Sequence, residues 1–219
     1  PWASSRQLSI PFGASPFATQ GIRNWDRAPA RLATRMEQTM DSVGQRLAND
    51  AGELGLGNLM KASSMGTPEA VQASYRALML FRPMLYRYRA AQRELSDAYG
   101  DSAATLASAG AWTRTDLEEW RVRNAPVEPV RDAARGDSLV AALERLYALM
   151  QEQQGSVLVT DEWVRFAVPG AGDEYDSLRT RIQRLTMTNI PGDHHRLSPT
   201  LLLLIAVAGD GTLPRRSPD

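Results

Sequence analysis

The only two histidines are adjacent, in Asp193-His194-His195, and mark the first place to look for general acid–base chemistry. An imidazole titrates near neutrality, and Asp193 or a carboxylate elsewhere could hold it as a general base. Neighbouring side chains point different ways in most backbone conformations, so His194 and His195 would not both face one metal ion. HExxH, HxH and the cysteine-bearing deaminase pattern are absent, and there is no cysteine. The connection Asn189–Arg196 reads first as a polar loop before a helix, with catalysis at His194 or His195 as the sharper alternative.

Asp173, Glu174 and Asp176 form a second cluster, and paired carboxylates can do acid–base or magnesium work. They also fall where a helix should begin, and acids are favoured at that end of the dipole without further purpose. Glu118-Glu119 carries the same two readings. Arg179, Arg181 and Arg184 could take a phosphate bidentately, although a solvated face is the plainer account in an arginine-rich chain. Lys61 is the sole lysine, so a Schiff base or a phosphate-loop lysine would have to use it. The glycines of Gly-Glu-Leu-Gly-Leu-Gly (52–57) lack the preceding strand and the Gly-Lys-Ser/Thr ending of a phosphate loop. No serine sits in a Gly-x-Ser-x-Gly elbow.

A fourth cluster, Arg82, Arg87, Arg89 and Arg93 with Tyr86 and Tyr88, could contact an anion or a nucleic acid, the tyrosines stacking on bases. Acids and bases balance at 25 each, which gives no global steering toward nucleic acid. A solvated face with Glu94 and Asp97 as partners is the preferred reading. Binding through these arginines would weaken steeply with salt.

The element carrying them, Thr67–Gly100, organises the chain. Thr67 suits a cap, Pro68 the first helical position, and Glu69 the positive end of the dipole. Met84, Tyr88, Ala91, Leu95 and Tyr99 recur at steps of four, three, four and four, one apolar helix face. That phase puts Arg89 and Arg93 on the opposite, solvated side. Leu78-Met79-Leu80-Phe81 is apolar all round and implies a buried first half. Pro83 costs about 3 kcal/mol inside a helix and predicts a kink or two helices. Gly100 is placed to end the element.

Natural partners are the stripes elsewhere. Leu32, Met36, Met40, Val43 and Leu47 make one across Pro29–Asn49. Leu139, Ala142, Leu143, Leu146 and Met150 make another, with Asp137 or Ser138 as cap and Gly155 as stop. Leu178, Ile182 and Leu185 mark a third. Ser198-Pro199 opens the apolar run Leu201–Val207, about half the roughly 20 residues a bilayer needs, hence a buried core helix. Between these lie an Ala-rich turn or two after Gly100 and a short helix opened by a capping box at Thr115-Asp116-Leu117-Glu118. Trp112 and Trp120 flank that helix as core residues. Ser156–Thr160 is the one β-type run, forming either a hairpin with Val164–Val168 or a short helix.

Residues 1 to about 28 show no period, only Trp2, Phe12, Phe17 and Trp25 scattered among prolines and glycines. They read as an extended arm that anchors to a partner by large side chains. No signal peptide or transmembrane helix is visible, and the start at Pro1 fits methionine removal, processing or truncation. The lysine-poor composition would suit a translocated toxin, but scarce Ile, Asn, Phe and Tyr beside abundant Ala, Gly, Arg and Pro suit GC-rich coding better.

The expected fold is mainly α, an irregular helical bundle of about six helices with an extended N-terminal arm (1–28). One helical domain (29–208) with at most one small β-hairpin and a C-terminal tail (209–219) completes it. The expected function is a non-catalytic structural or assembly subunit of a larger complex, such as a virion, a secretion machine or a ribonucleoprotein particle. It needs no cofactor or metal, and its partners are other protein subunits or copies of itself. The alternative is a small translocated effector or toxin enzyme using the Asp193-His194-His195 loop.

Overall fold

The computed structural model describes residues 27–110, 112–123, 130–186, 198–209 and 211–217. The fold is mainly α. The described residues form α1 (Arg27–Glu53), two single 3-10 turns (Leu56–Asn58 and Ala62–Ser64), α2 (Pro68–Ser108), α3 (Arg114–Arg123) and α4 (Val130–Glu152). There follow β1 (Val157–Val159), β2 (Trp163–Phe166), α5 (Ala171–Thr186), α6 (Pro199–Ala208) and β3 (Arg215–Arg216). The aromatic arm residues Trp2, Phe12, Phe17 and Trp25 and the His194-His195 loop lie outside the described residues.

α2 is one helix of 41 residues, roughly 60 Å at 1.5 Å per residue. Thr67 caps it, its hydroxyl accepting from the Ala70 N–H at 3.2 Å. Pro83 does not divide it. The bond a proline forfeits is the one to the carbonyl four residues back, here Met79, and both residues face solvent, where water can take that carbonyl. Gly100 does not end it either. The helix runs two turns further because Ala103 is buried and Leu106 and Ala107 are partly buried against Met36, Met40, Trp112 and Trp120. The Ala-rich segment read as a separate turn is the end of α2.

α1 lies along α2 so that early α1 meets late α2: Thr39 Oγ1 is 3.0 Å from the Tyr99 hydroxyl. At the other end Leu47 and Ala51 join the principal core with Val71, Leu78, Phe81 and Leu85. That core also takes Leu139, Val140, Leu143, Leu146 and Tyr147 of α4, Tyr175 and Ile182 of α5, and Leu202, Leu203 and Val207 of α6. The Met36–Trp120 group is a second, smaller cluster. α5 packs principally on α4, so it is not a direct partner of α2, and α6 lies against α1 and α4 more than α2.

α3 is capped two residues earlier than the box at Thr115 suggested. Thr113 accepts from the Asp116 N–H at 3.1 Å while Asp116 accepts from the Thr113 N–H at 2.8 Å. The Thr113 hydroxyl, donating to Asp116 Oδ2 at 2.6 Å, and then the Thr113 N–H hold the Asp116 carboxyl below its ordinary pKa. α4 starts well before the Asp137 or Ser138 cap. Both residues sit inside it, and the Ser138 hydroxyl donates back to the Ala134 carbonyl at 2.8 Å. After α4, Gly155 at φ 81° turns the chain into the hairpin.

β1 pairs antiparallel with β2, Val157 opposite Phe166 and Val159 opposite Val164, which decides for the hairpin over the helix. The segment read as a tail supplies a third strand: β3 runs parallel to β2, Trp163 opposite Arg215. Leu213 is buried, and Tyr175 donates to the Pro214 carbonyl at 2.9 Å.

Candidate partner-binding face of α2

The periodicity of Phe81, Leu85, Tyr88 and Gln92, all buried, fixes which side of α2 faces the core. On a 3.6-residue helix the opposite side is then Arg76, Met79, Leu80, Pro83, Tyr86, Arg87, Ala90 and Glu94. The surface follows this geometry: Met79 is 49% exposed, Leu80 57% and Tyr86 46%. The expectation of a buried Leu78–Phe81 run is thus corrected. Leu78 and Phe81 point inward and are fully buried, while the two residues between them point out.

The four arginines do not converge on one site. Arg82 forms a forked pair with Glu144 of α4, at 2.9 and 3.2 Å. Hydrogen bonding to Tyr86, then the Glu144 charge, keep its pKa above the ordinary value. Arg89 is not on the solvated face. It is 8% exposed and reaches between α4 and α6, donating to Asp137 at 2.8 Å, the Ala133 carbonyl at 3.1 Å and the Thr200 hydroxyl at 3.3 Å. Its guanidinium carbon lies 5.8 Å from the centre of the Tyr86 ring. The close approach requires Gly136, where a Cβ would lie 3.0 Å from an Arg89 nitrogen and 2.9 Å from the Thr200 hydroxyl. Tyr88 is buried beside Gln92, which donates to its hydroxyl at 2.8 Å, so it cannot stack on a base. Arg93 is exposed with Nε 3.3 Å from the Arg89 carbonyl, and Arg87 is exposed.

The carboxylate cluster at the start of α5 meets arginines. Asp173 pairs with Arg216, Glu174 with Arg145 at 2.6 Å, and Asp176 with Arg179 at 3.4 Å. Arg145 also holds Glu152 at 2.7 Å, and the two acids, Glu174 first, raise its pKa. Arg181 and Arg184 are exposed on the same helix, whereas Arg179 is partly buried and turned to Asp176. Glu118 pairs with Arg114 one turn back. Lys61 donates to Asn58 at 2.8 Å. Among the described residues no three His, Asp or Glu side chains are grouped to hold a metal, and no helix is long and apolar enough to cross a membrane. An open depression of about 330 Å³ lies between the start of α2 and the end of α4, lined by Pro68, Glu69, Gln72, Gln151 and Gln154.

The chain matches no protein-family model, no curated protein and no solved structure. The geometry of its own surface is therefore what bears on function. Met79, Leu80 and Pro83 are the residues that reading by residue type missed. The Met84–Tyr99 phase extended backward turns Met79 and Pro83 outward but lands on Leu80, one turn before Met84; it is the phase of the buried Phe81, Leu85 and Tyr88 that exposes Leu80.

Proposed function

We propose that this chain is a non-catalytic assembly subunit that works through protein–protein contacts. The observation that carries the reading is the outward stripe Met79, Leu80, Pro83 and Tyr86 along the middle of α2. Scattered exposed apolar residues are ordinary, whereas Met79, Leu80, Pro83 and Tyr86 gathered along about two turns of one helix favour a contact surface. Fully burying such a side chain is worth about 1.5–3 kcal/mol, so closing off the exposed half of Met79, Leu80 and Tyr86 contributes roughly 3 kcal/mol. Association costs at least about 4 kcal/mol of lost freedom, so this stripe supports a weak contact that gains from repetition or from neighbouring contacts. A subunit of a larger particle meets that condition.

The test compares the chain in a native extract of its source with a Leu80→Arg variant, by size fractionation. Wild type is expected in a fraction far larger than one chain, and Leu80→Arg is expected to shift to the single-chain position with unchanged helicity. Wild type running as a free single chain in the extract would sink the reading.

A further inference from the structure

We infer that the occupant of the α2 face is the same face of a second copy, packed antiparallel about a two-fold axis at the level of Leu85. The inference rests on the assembly reading above and adds the identity of the partner. Its ground is charge complementarity of the stripe with itself. Arg76 and Glu94 are both exposed, and neither has an ion-pair partner among the described residues. They are about five helical turns apart, hence on the same side, and about 27 Å apart along the axis.

A two-fold axis exchanges the ends of an antiparallel helix pair, so a residue meets the one equally far on the other side of the axis. With the axis at Leu85, Arg76 of each copy meets Glu94 of the other, giving two symmetric ion pairs. Leu80 then meets Ala90, a large residue against a small one, as close helix packing needs. Pro83 of one copy lies beside Arg87 of the other. The Arg87 guanidinium comes within reach of the opposing Tyr86 ring, an arrangement that favours both.

The alternative register is disfavoured by the same charges. An axis between Leu80 and Pro83 would place Arg76 opposite Arg87, two unpaired cations. An anionic lipid surface also fits less well. Met79, Leu80 and Tyr86 are each about half covered by their own chain, which makes a low ridge suited to a packed helix instead of side chains free to insert.

The test is sedimentation equilibrium of the purified full chain, with Arg76→Glu, Glu94→Arg and the double reversal. Wild type is expected to dimerise weakly, with a dissociation constant of roughly 0.1–1 mM, since two copies of the stripe and two exposed ion pairs leave about 4 kcal/mol after the cost of association. Each single reversal should weaken the dimer about tenfold or more, because it puts like charges together twice. The double reversal should return to within a few-fold of wild type, a restoration that damage to folding would not produce. These positions are exposed, and circular dichroism of each variant is to be compared with wild type to check that it is folded. A monomer at all concentrations overturns the inference, whether that monomer floats with anionic vesicles or joins an unrelated protein in an extract. A dimer indifferent to the reversals overturns it too, since another face would then be in use. A purified monomer that still runs in a large particle in extracts removes the second copy as occupant and leaves the assembly reading standing.

Discussion

Arg89 shows how little residue type says about where a charge goes. By period it belongs near Tyr86, but it turns inward because Asp137, the Ala133 carbonyl and Thr200 offer it three acceptors, and Gly136 leaves room. Asp137 keeps 41% of its side chain in water, which lowers the cost of burying the pair. Nothing in the local sequence announces this, since the partners come from α4 and α6. Two buried tyrosines make the residue scale testable. The Tyr147 hydroxyl lies 2.8 Å from the Leu59 carbonyl and 2.7 Å from the Ser64 hydroxyl, and burial pushes its pKa up to about 12. Burial also pushes Tyr175 up. A raised acid pKa means that the folded state keeps a proton the unfolded chain gives up. Stability is therefore unaffected by these groups below the unfolded value of 10.0 and falls as pH rises above it. The expected loss is up to about 1.4 kcal/mol per pH unit for each tyrosine until the folded value is reached. Urea titrations between pH 8 and 12 check it. Tyr147→Phe should be about 1 kcal/mol less stable at pH 8 yet show a shallower alkaline decline. An unchanged slope would contradict the assignment.

At the scale of elements, periodicity was informative where a stripe was long and local. The Leu32–Leu47 and Leu139–Met150 stripes became α1 and α4, and Ser198-Pro199 opened α6 as read. Stops were less legible. Glycine in a helix costs only about 1 kcal/mol relative to alanine, which burial of Ala103 and the cluster around it outweighs at Gly100. A cap at Asp137 lost to Arg89 for a similar reason, a tertiary partner. Pro83 extends the argument to a prediction. Its ring faces outward and the carbonyl it leaves unbonded, Met79, is on the solvent side, so its penalty is smaller than in a buried helix. Pro83→Ala restores that bond while giving the unfolded chain more freedom, effects of opposite sign. The net expectation is about 1 kcal/mol of added stability, a rise of roughly 2–4 °C in the thermal midpoint of a chain this size. A fall in the midpoint would show that the ring packs more than its exposure indicates. The same substitution leaves Arg76 and Glu94 in place, so it should change dimer affinity less than either charge reversal.

For the whole molecule, the least legible feature was the C-terminal strand. A two-residue parallel pairing with a strand some fifty positions earlier has no local period, and Leu-Pro-Arg-Arg reads as a polar tail. What holds it is separable into burial and charge. Leu213 is 3% exposed, and the Pro214 carbonyl accepts from the buried Tyr175 hydroxyl. The Arg216–Asp173 pair, by contrast, has 75% of the Asp173 side chain in water, where an ion pair contributes little. Removing residues 212–219 should therefore cost about 3–5 kcal/mol, most of it the buried leucine and the tyrosine left without its acceptor. Leu213→Ala alone should reproduce about 2–3 kcal/mol of that, whereas Arg216→Ala should cost under about 1 kcal/mol. Without β3 the hairpin is left as a two-stranded ribbon, which is marginal in water. Amide exchange at Val164 should then accelerate well before the α2–α4 core opens, because β3 packs principally on β2 and α5 and not on α2 or α4. If Arg216→Ala proved as damaging as Leu213→Ala, the strand would be held by its charge, and the ordering of burial over ion pairing proposed for it would be wrong.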